Sequence, residues 1–481
     1  MPSPSKVFAL TLSLVAAACA TNPATGQHEF SLMGEDKEIQ LGQEQDGQVR
    51  KEMGVYGDNA VQQYVNDVGM KLAQVSERPN LPWHFTVVDV PAVNAFALPG
   101  GYIYITRGIL PYLDDEAQLA GVMGHEIGHV TARHAARQYS KSTASELGLI
   151  VGSLFVPQAA PLASLGESGL GLLLLKNSRD DELEADSLGA KYLARGGWDP
   201  DAVPQMLTTL GRIEETSDSK GVPNWMQTHP IAEDRVQKVQ AAVRDAEQGA
   251  TQFTTDHDGY LKRVDGLTYG DDPDHGILRG STFLHGSLRF AIDFPEGWDV
   301  TNGDSSVVAR SPGEKRLVVL QPVRQAAGRT IDAVAVTGMQ RAGFTPVSGL
   351  HTTINGLDAY VGTYAGSMQN LGRVQVRAAH IVYERSVYLV AGVAPLNAFD
   401  ASEPAFTKTI DSFRSLTRAD AERLQPNKIA IYTAKAGDTW QTIAARAGKN
   451  SVKPSTLAIM NGRAVSEQPH AGERLKIVVV A

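Results

Sequence analysis

The sequence predicts a multidomain α+β protein: a mainly helical first half with a small edge-strand sheet, then an α+β domain, then a short βααβ module. Three observations carry this expectation. The chain has 481 residues, enough for about three domains, each with its own core. Apolar residues recur at helical spacing through Asp114–Gln138 and again after Ser178. From about Ser281 they fall instead into short alternating runs rich in β-branched and aromatic residues. A polar, glycine-bearing stretch at 248–280 separates the two patterns and is expected to be a linker.

Composition bounds the function classes. A hydrophobic content of 42% with 20% charged residues is globular. The net charge of −9, with no strong basic patch, argues against nucleic-acid binding. The single cysteine, Cys19, permits no intrachain disulfide. Lys6 precedes an apolar run from Val7 to Ala18 that closes on small residues, so 1–18 is expected to be a secretory signal and not a membrane span. Cysteine straight after Ala16-Ala17-Ala18 resembles a bacterial lipobox. That resemblance implies lipidation at Cys19, with 19–29 as a tether to the outer membrane and the folded chain in the periplasm of a Gram-negative cell.

The predicted helix Asp114–Gln138 carries the chemistry. Asp114 or Asp115 can cap its start, and Glu116 favours the first turn. Leu119, Val122, Met123, Ile127 and Val130 make an apolar stripe. A second face of Ala117, Gly121, Gly124, Gly128 and Ala135 gives up helix propensity at three glycines, which predicts close packing by another segment. On this helix stands His125-Glu126-Ile127-Gly128-His129. Histidines at i and i+4 stack one turn apart, so both imidazoles can reach one metal. Glu126 between them can take a proton from a water held there, and a carboxylate at the centre of an apolar stripe needs such a partner.

A catalytic zinc needs a third protein ligand and one open position. Ser178-Arg179-Asp180-Asp181-Glu182-Leu183-Glu184-Ala185-Asp186 opens a second helix, with Glu182, Asp186, Gly189 and Leu193 on one face. Glu182 can supply the ligand. Asp186, one turn on, can accept a hydrogen bond from a ligating imidazole. Together the two segments resemble the zinc metallopeptidases that include HtpX and the CAAX prenyl endopeptidases, a gluzincin family. Asn94-Ala95-Phe96-Ala97-Leu98-Pro99-Gly100-Gly101 resembles the family's edge strand, and Thr228-His229-Pro230 with Arg235 its late histidine segment. The resemblance covers roughly residues 30–245, with the domain bounds expected at 30–247. It implies one zinc per chain on His125, His129 and Glu182, Glu126 as general base, and Asp186 behind a ligand. It also implies protein or peptide substrates laid as an added strand along Asn94, Ala95, Phe96 and Ala97. His229 has two readings: a stabiliser of the developing oxyanion, or a fourth ligand in a resting state. The apolar tract 147–175 is broken by Pro157, Pro161, Gly166 and Gly169 into runs too short to span a membrane, and is expected to pack over the site.

Residues 281–416 are expected to form a mainly antiparallel α+β domain, with helices near Thr330–Arg341 and Ala398–Phe413. Residues 428–480 resemble a LysM module, a βααβ fold that binds peptidoglycan glycan strands, with Gly437, Asp438, Thr439 and Asn461 as its diagnostic positions. The whole reads as a periplasmic zinc metalloendopeptidase acting on extended or misfolded envelope proteins. Two alternatives stay open: a chaperone-like outer-membrane assembly factor with a latent site, and a peptidoglycan hydrolase.

Overall fold

Helix and strand signals are realised where caps and periodicity agree. The computed structural model describes residues 19–141, 177–216, 225, 229–230, 234–248, 252–303, 306–313, 315–323, 330–368, 371–446 and 452–480. The expected signal 1–18 and the whole apolar tract 147–175 fall outside them. Among the described residues no helix is long and apolar enough to cross a membrane. The chain divides into two compact units, one of residues 1–270 with 427–480, the other of 271–426.

The first unit opens with Cys19–Thr21 (β1) paired antiparallel to His28–Phe30 (β2). The stretch expected as a tether is therefore a short hairpin, and the Asn22 side chain in its turn is buried against Ala132 O at 3.4 Å. Helices α1 (Glu35–Met53) and α2 (Asn59–Gln74) follow. Asp58 caps α2 by accepting from Ala60 and Val61 N–H. The sheet has three strands, β3 (His84–Val88), β4 (Ala95–Leu98) and β5 (Tyr102–Thr106), in the order β3-β5-β4. The Asn94–Gly101 segment thus supplies an edge strand, as expected.

The motif helix α3 runs Glu116–Thr131, with Asp115 as N-cap accepting from Gln118 N–H. Its expected continuation to Gln138 is interrupted. The helix ends at Ala132, Arg133 adopts φ +57°, and helix resumes over 134–141. Arg133 is held in that conformation by Glu38 and the carbonyl of Met33. Beyond come α4 (Arg179–Gly196), α5 (Ala202–Thr216), α6 (Arg235–Ala246) and α7 (His257–Val264), then strand β6 (Thr268–Tyr269). Helix α7 and β6 lie in the expected linker. Tyr260, Leu261 and Val264 of α7 are buried, so this polar stretch has one apolar face that joins the core.

The second unit carries two antiparallel sheets. Strands β7 (Ile277–Arg279), β8 (Thr282–His285) and β9 (Phe290–Asp293) form one with β17 (Arg414–Ser415), in the order β17-β9-β8-β7. The larger has seven strands: β10 (Asp299–Asn302), β11 (Val307–Arg310), β12 (Leu317–Val323), β13 (Thr345–Ile354), β14 (Leu357–Met368), β15 (Gly372–Tyr383) and β16 (Ser386–Pro395). Their order is β10-β11-β12-β16-β15-β14-β13. Helices α8 (Ile331–Arg341) and α9 (Phe399–Asp411) lie close to the ranges predicted from the sequence; a short helix, α10 (Arg418–Glu422), follows.

Residues 427–480 run β18 (Asn427–Thr433), α11 (Trp440–Arg446), α12 (Pro454–Met460), β19 (Arg474–Val480), with the two strands paired antiparallel. This βααβ piece is part of the first unit. Strand β18 also pairs with β6, and Trp440, Ile443, Leu457, Met460 and Val478 share one apolar core with α2 to α5. Lys476 is fully buried; its ammonium donates to the carbonyl of Leu113 and pairs with Asp114 at 3.0 Å. Burial pulls its pKa down, and Asp114 partly restores it. Asp438 and Asn461 are engaged inside the piece. Asp438 accepts from Tyr432, Lys435 N–H and Arg446. Asn461 bonds Leu457 O, Lys476 O and Lys476 N–H.

One buried group in the second unit gives a pH prediction. His380, on β15, is 1% exposed, and burial pushes its pKa down to about 4. The unfolded chain takes up a proton near pH 6.5 that the folded unit refuses, so stability is full above that pH and falls until about pH 4. The loss expected is on the order of 3 kcal/mol at most. His380→Met should flatten the fall in the unit's urea midpoint between pH 7 and 4.5. An unchanged slope would assign the pH dependence elsewhere.

Candidate active site

Helix α3 is buried along its whole length from Ala117 to Thr131. Its glycine face meets α4 at backbone distance. A Cβ at Gly124 would lie 3.2 Å from Gly189 Cα, and one at Gly128 would lie 2.8 Å from the carbonyl oxygen of Ala185. The glycines therefore do what their presence in a helix predicts: they let a second helix approach closely enough to share a site. Helix α4 is started by a capping box, in which Ser178 accepts from Asp181 N–H and Asp181 accepts from Ser178 N–H. One residue further, Glu182 points at the two histidines.

Donor atoms of His125, His129, Glu182 and His229 all lie within 4.8 Å of one another, and all four residues are buried. His125 Nε2 is 3.0 Å from His129 Nε2, 3.2 Å from His229 Nδ1 and 3.5 Å from Glu182 Oε2. Glu182 Oε1 is 3.3 Å from His129 Nε2 and 3.1 Å from His229 Nδ1. Bonds of about 2.0–2.1 Å around a tetrahedral ion separate its donor atoms by about 3.3 Å. The donor set has that size. Its chemistry agrees. His125 Nδ1 lies 2.8 Å from Asp186 Oδ1, so its proton is committed there and Nε2 presents a lone pair. Two such lone pairs 3.0 Å apart repel unless a cation lies between them.

The groups behind the donors hold their charges. Arg235 clamps Asp186, with Nε 2.6 Å from Oδ2 and Nη2 2.9 Å from Oδ1, and reaches Glu182 Oε2 at 2.9 Å. Burial alone would raise the Asp186 carboxyl, but Arg235 and His125 hold it below the usual range. Burial likewise opposes ionisation of Glu182, and His229 and His129 overcome it. Burial lowers the pKa of His125 to about 3, so it is neutral, as a ligand must be. Glu126 is the exception. Its Oε1 is buried with no hydrogen-bond partner, and its nearest cationic neighbour is His229 Nε2 at 3.5 Å. Burial pushes its pKa up.

Glu126, His129 and His229 line a cleft with a cavity volume of about 70 Å³ together with Phe96, Ala97 and Leu98 of β4. Ala95 begins that strand, its N–H accepted by the Asn94 side chain at 2.9 Å. Trp225 stacks on His229 with ring centroids 4.2 Å apart, and its N–H donates to Val93 O just before β4. The structure thus brings together His125, Glu126, His129, Glu182, Asp186, His229 and the Asn94–Ala97 segment. Cys19 begins β1. Gly437, Asp438 and Thr439 form the turn into α11, and Asn461 ends α12. Sequence reasoning assigned no part to His134 or Trp225. Trp225 lies in a segment without periodicity, and its one signal is a bulky aromatic four residues before a histidine.

Residues 59–243 match the model of Peptidase family M48. That segment is similar to the metallopeptidases of this family. The chain is 33% identical over 242 residues to the beta-barrel assembly-enhancing protease of Escherichia coli (strain K12), covering 48% of this chain and 49% of that protein. It is 31% identical over 208 residues to the mitochondrial metalloendopeptidase OMA1 of Arabidopsis thaliana, covering 43% and 40% of the two chains. With the corresponding protein of Schizosaccharomyces pombe it shares 30% over 236 residues, 47% of this chain and 66% of that one. The chain spans about half the length of the first of these relatives.

Two of the three glycines on α3, Gly121 and Gly128, should differ in tolerance. Gly121→Ala meets only ordinary contacts, at 3.6 Å from Ala202 O, and should be neutral or stabilising by up to about 1 kcal/mol. Gly128→Ala should force α3 and α4 apart, cost about 1–3 kcal/mol and lower zinc retention. Zinc content and unfolding midpoint of both variants check this. Equal behaviour would remove the close approach as a requirement.

Proposed function

We propose that this chain is a zinc-dependent endopeptidase of the bacterial periplasm. The observation that carries the proposal is a donor set of tetrahedral size beside one buried carboxylate oxygen without a hydrogen bond and the outer strand of a sheet. His125, His129 and Glu182 would hold the ion. Zinc, when bound, supplies Lewis-acid polarisation of the scissile carbonyl and of the attacking water. Glu126 accepts the proton of that water at Oε1, the atom the protein leaves without a partner, and returns it to the leaving amine. Its raised pKa makes it a stronger base than a free glutamate and a better donor in the second step. An extended substrate segment adds to β4, the outer strand of its sheet among the described residues, whose Phe96, Ala97 and Leu98 border the same cleft.

Extended strands are what an unfolded or unassembled β-barrel protein offers. The Escherichia coli relative is named a beta-barrel assembly-enhancing protease, and that name supports such a substrate class. Lipid attachment at Cys19 and glycan binding by 428–480 are further parts of the proposal that rest on the sequence. Glu126→Gln keeps a ligand set and removes the base. It should retain one zinc per chain and lose casein cleavage by about a hundredfold or more. Full cleavage by the variant, or absence of zinc from the parent protein, would refute the mechanism.

One observation favours a closed resting state. His229 Nδ1 occupies the fourth donor position, within 3.2 Å of both His125 and Glu182 atoms, which is where an attacking water belongs. His229, with Trp225 stacked on it, would therefore compete with substrate. His229→Ala should raise the cleavage rate of a short extended peptide several-fold. A fall of a hundredfold instead would assign His229 to stabilising the transition state.

A further inference from the structure

The two motif histidines are supported differently on the side away from the donor cluster. His125 Nδ1 meets a carboxylate directly, Asp186 at 2.8 Å. His129 Nδ1 meets another imidazole: His134 Nδ1, at 2.6 Å. His134 is 3% exposed, and its Nε2 lies 3.1 Å from Glu184 Oε2. Glu184 is fixed in turn by Arg137 Nη2 at 3.2 Å and Asn22 Nδ2 at 3.3 Å. Only one tautomer of each ring satisfies this chain when His129 Nε2 keeps its lone pair for an ion. His129 then carries its proton on Nδ1 and donates to His134, and His134 donates from Nε2 to Glu184.

This contact is built, at a cost to the backbone. In an unbroken helix His134 would sit about 140° around the axis from His129 and about 7.5 Å along it, out of reach. The break at Ala132–Arg133, with Arg133 at φ +57°, turns the following residues back so that the two rings meet. A non-glycine residue in that conformation is strained, and such strain persists where the surroundings fix it. Here Glu38 and Met33 O hold Arg133. The choice of an imidazole over a direct carboxylate also has a reason. Glu126, Glu182 and Asp186 already put three carboxylates in the buried site. A neutral ring orients His129 without adding a fourth, and the charge of Glu184 lies next to Arg137, which also pairs with Asp181 at 2.8 Å. His134, Asp181 and Glu184 come within ligand distance of one another, but the Arg137 guanidinium supplies the positive charge there.

We propose that His134 is a positioning residue for His129: it accepts the His129 Nδ1 proton, aims Nε2 at the ion and hands the hydrogen bond on to Glu184. The proposal rests on the reading of His125, His129 and Glu182 as the ligands. Its test is zinc affinity of the full chain, measured by competition with a colorimetric chelator, for the parent, His125→Ala, His134→Gln and His134→Phe. The unfolding midpoint of each zinc-free form is measured beside it. Outer-shell partners of metal ligands are worth about 10–100-fold in affinity. His134→Phe, which fills the space without an acceptor, should lose that factor. His134→Gln, which offers one acceptor and one donor, should stay within a few-fold of the parent. If the parent binds zinc and His125→Ala does not, but His134→Phe binds like the parent, His134 has no such role and the ligand reading survives. If Gln and Phe weaken binding equally, in step with a loss of zinc-free stability, His134 is packing alone and the proposal fails. If neither the parent nor His125→Ala binds zinc, both readings fall together.

Discussion

The approach of α3 to α4 is the constraint on which the site depends. Two histidines on one helix define a direction, and only a residue from a second helix can close a metal cage around it. Glu182 can do so because Gly124 and Gly128 let the backbones of Ala185 and Gly189 come within about van der Waals contact. The cost is helix propensity, and it is offset by burial of α3 on every side. Two caps fix the phase of the two helices: Asp115 at the start of α3 and the Ser178–Asp181 box at the start of α4. A different starting phase for either helix would rotate its ligand away from the shared point.

Once the helices are in place, the remaining problem is electrostatic. Several ionisable groups lie in a space without water, and each needs a partner. Arg235 answers for Asp186 and Glu182. Arg137 answers for Glu184, Asp181 and Glu29. Arg78 and Arg133 share Glu38. Against this background the Oε1 of Glu126 is informative, because it is buried without a hydrogen bond in a residue that lines the cleft.

Much of the site was legible because its chemistry is written in local spacing. His125, Glu126 and His129 need only helical geometry to converge, and Glu182 and Asp186 repeat that logic one helix later. The edge position of β4 was expected from the family resemblance of Asn94–Gly101, not from the local pattern, which signals only a strand and a turn. What was not legible depends on contacts between distant parts of the chain. Nothing near Arg133 signals a helix break, since Ala135 and Gln138 continue a helical pattern and arginine is not a turn former; Glu38 and Met33 hold it from nearly a hundred residues away. The linker expectation for 248–280 failed for a related reason: α7 is mostly polar, and its one apolar face is recognisable only once the core it joins is known. Lys476 sits between Leu475 and Ile477 on an alternating strand and reads as solvent-facing, yet it is buried because Asp114 and Leu113 O receive it.

That lysine has a consequence for how the molecule comes into being. The residues just before the start of α3 are completed by a segment more than three hundred and sixty residues further along the chain. Contacts of such sequence separation form late and slowly. During synthesis from the N-terminus, the motif helix is therefore exposed with its first turn unsupported until the last strand has emerged, while the 271–426 unit can complete its own sheets. A shortened chain lacking β19 would leave Leu113 and Asp114 without their cation and open the core around Trp440 and Leu457. Through this arrangement, assembly of the hydrolytic centre is tied to possession of an intact far end, so a truncated product is a poorly formed peptidase.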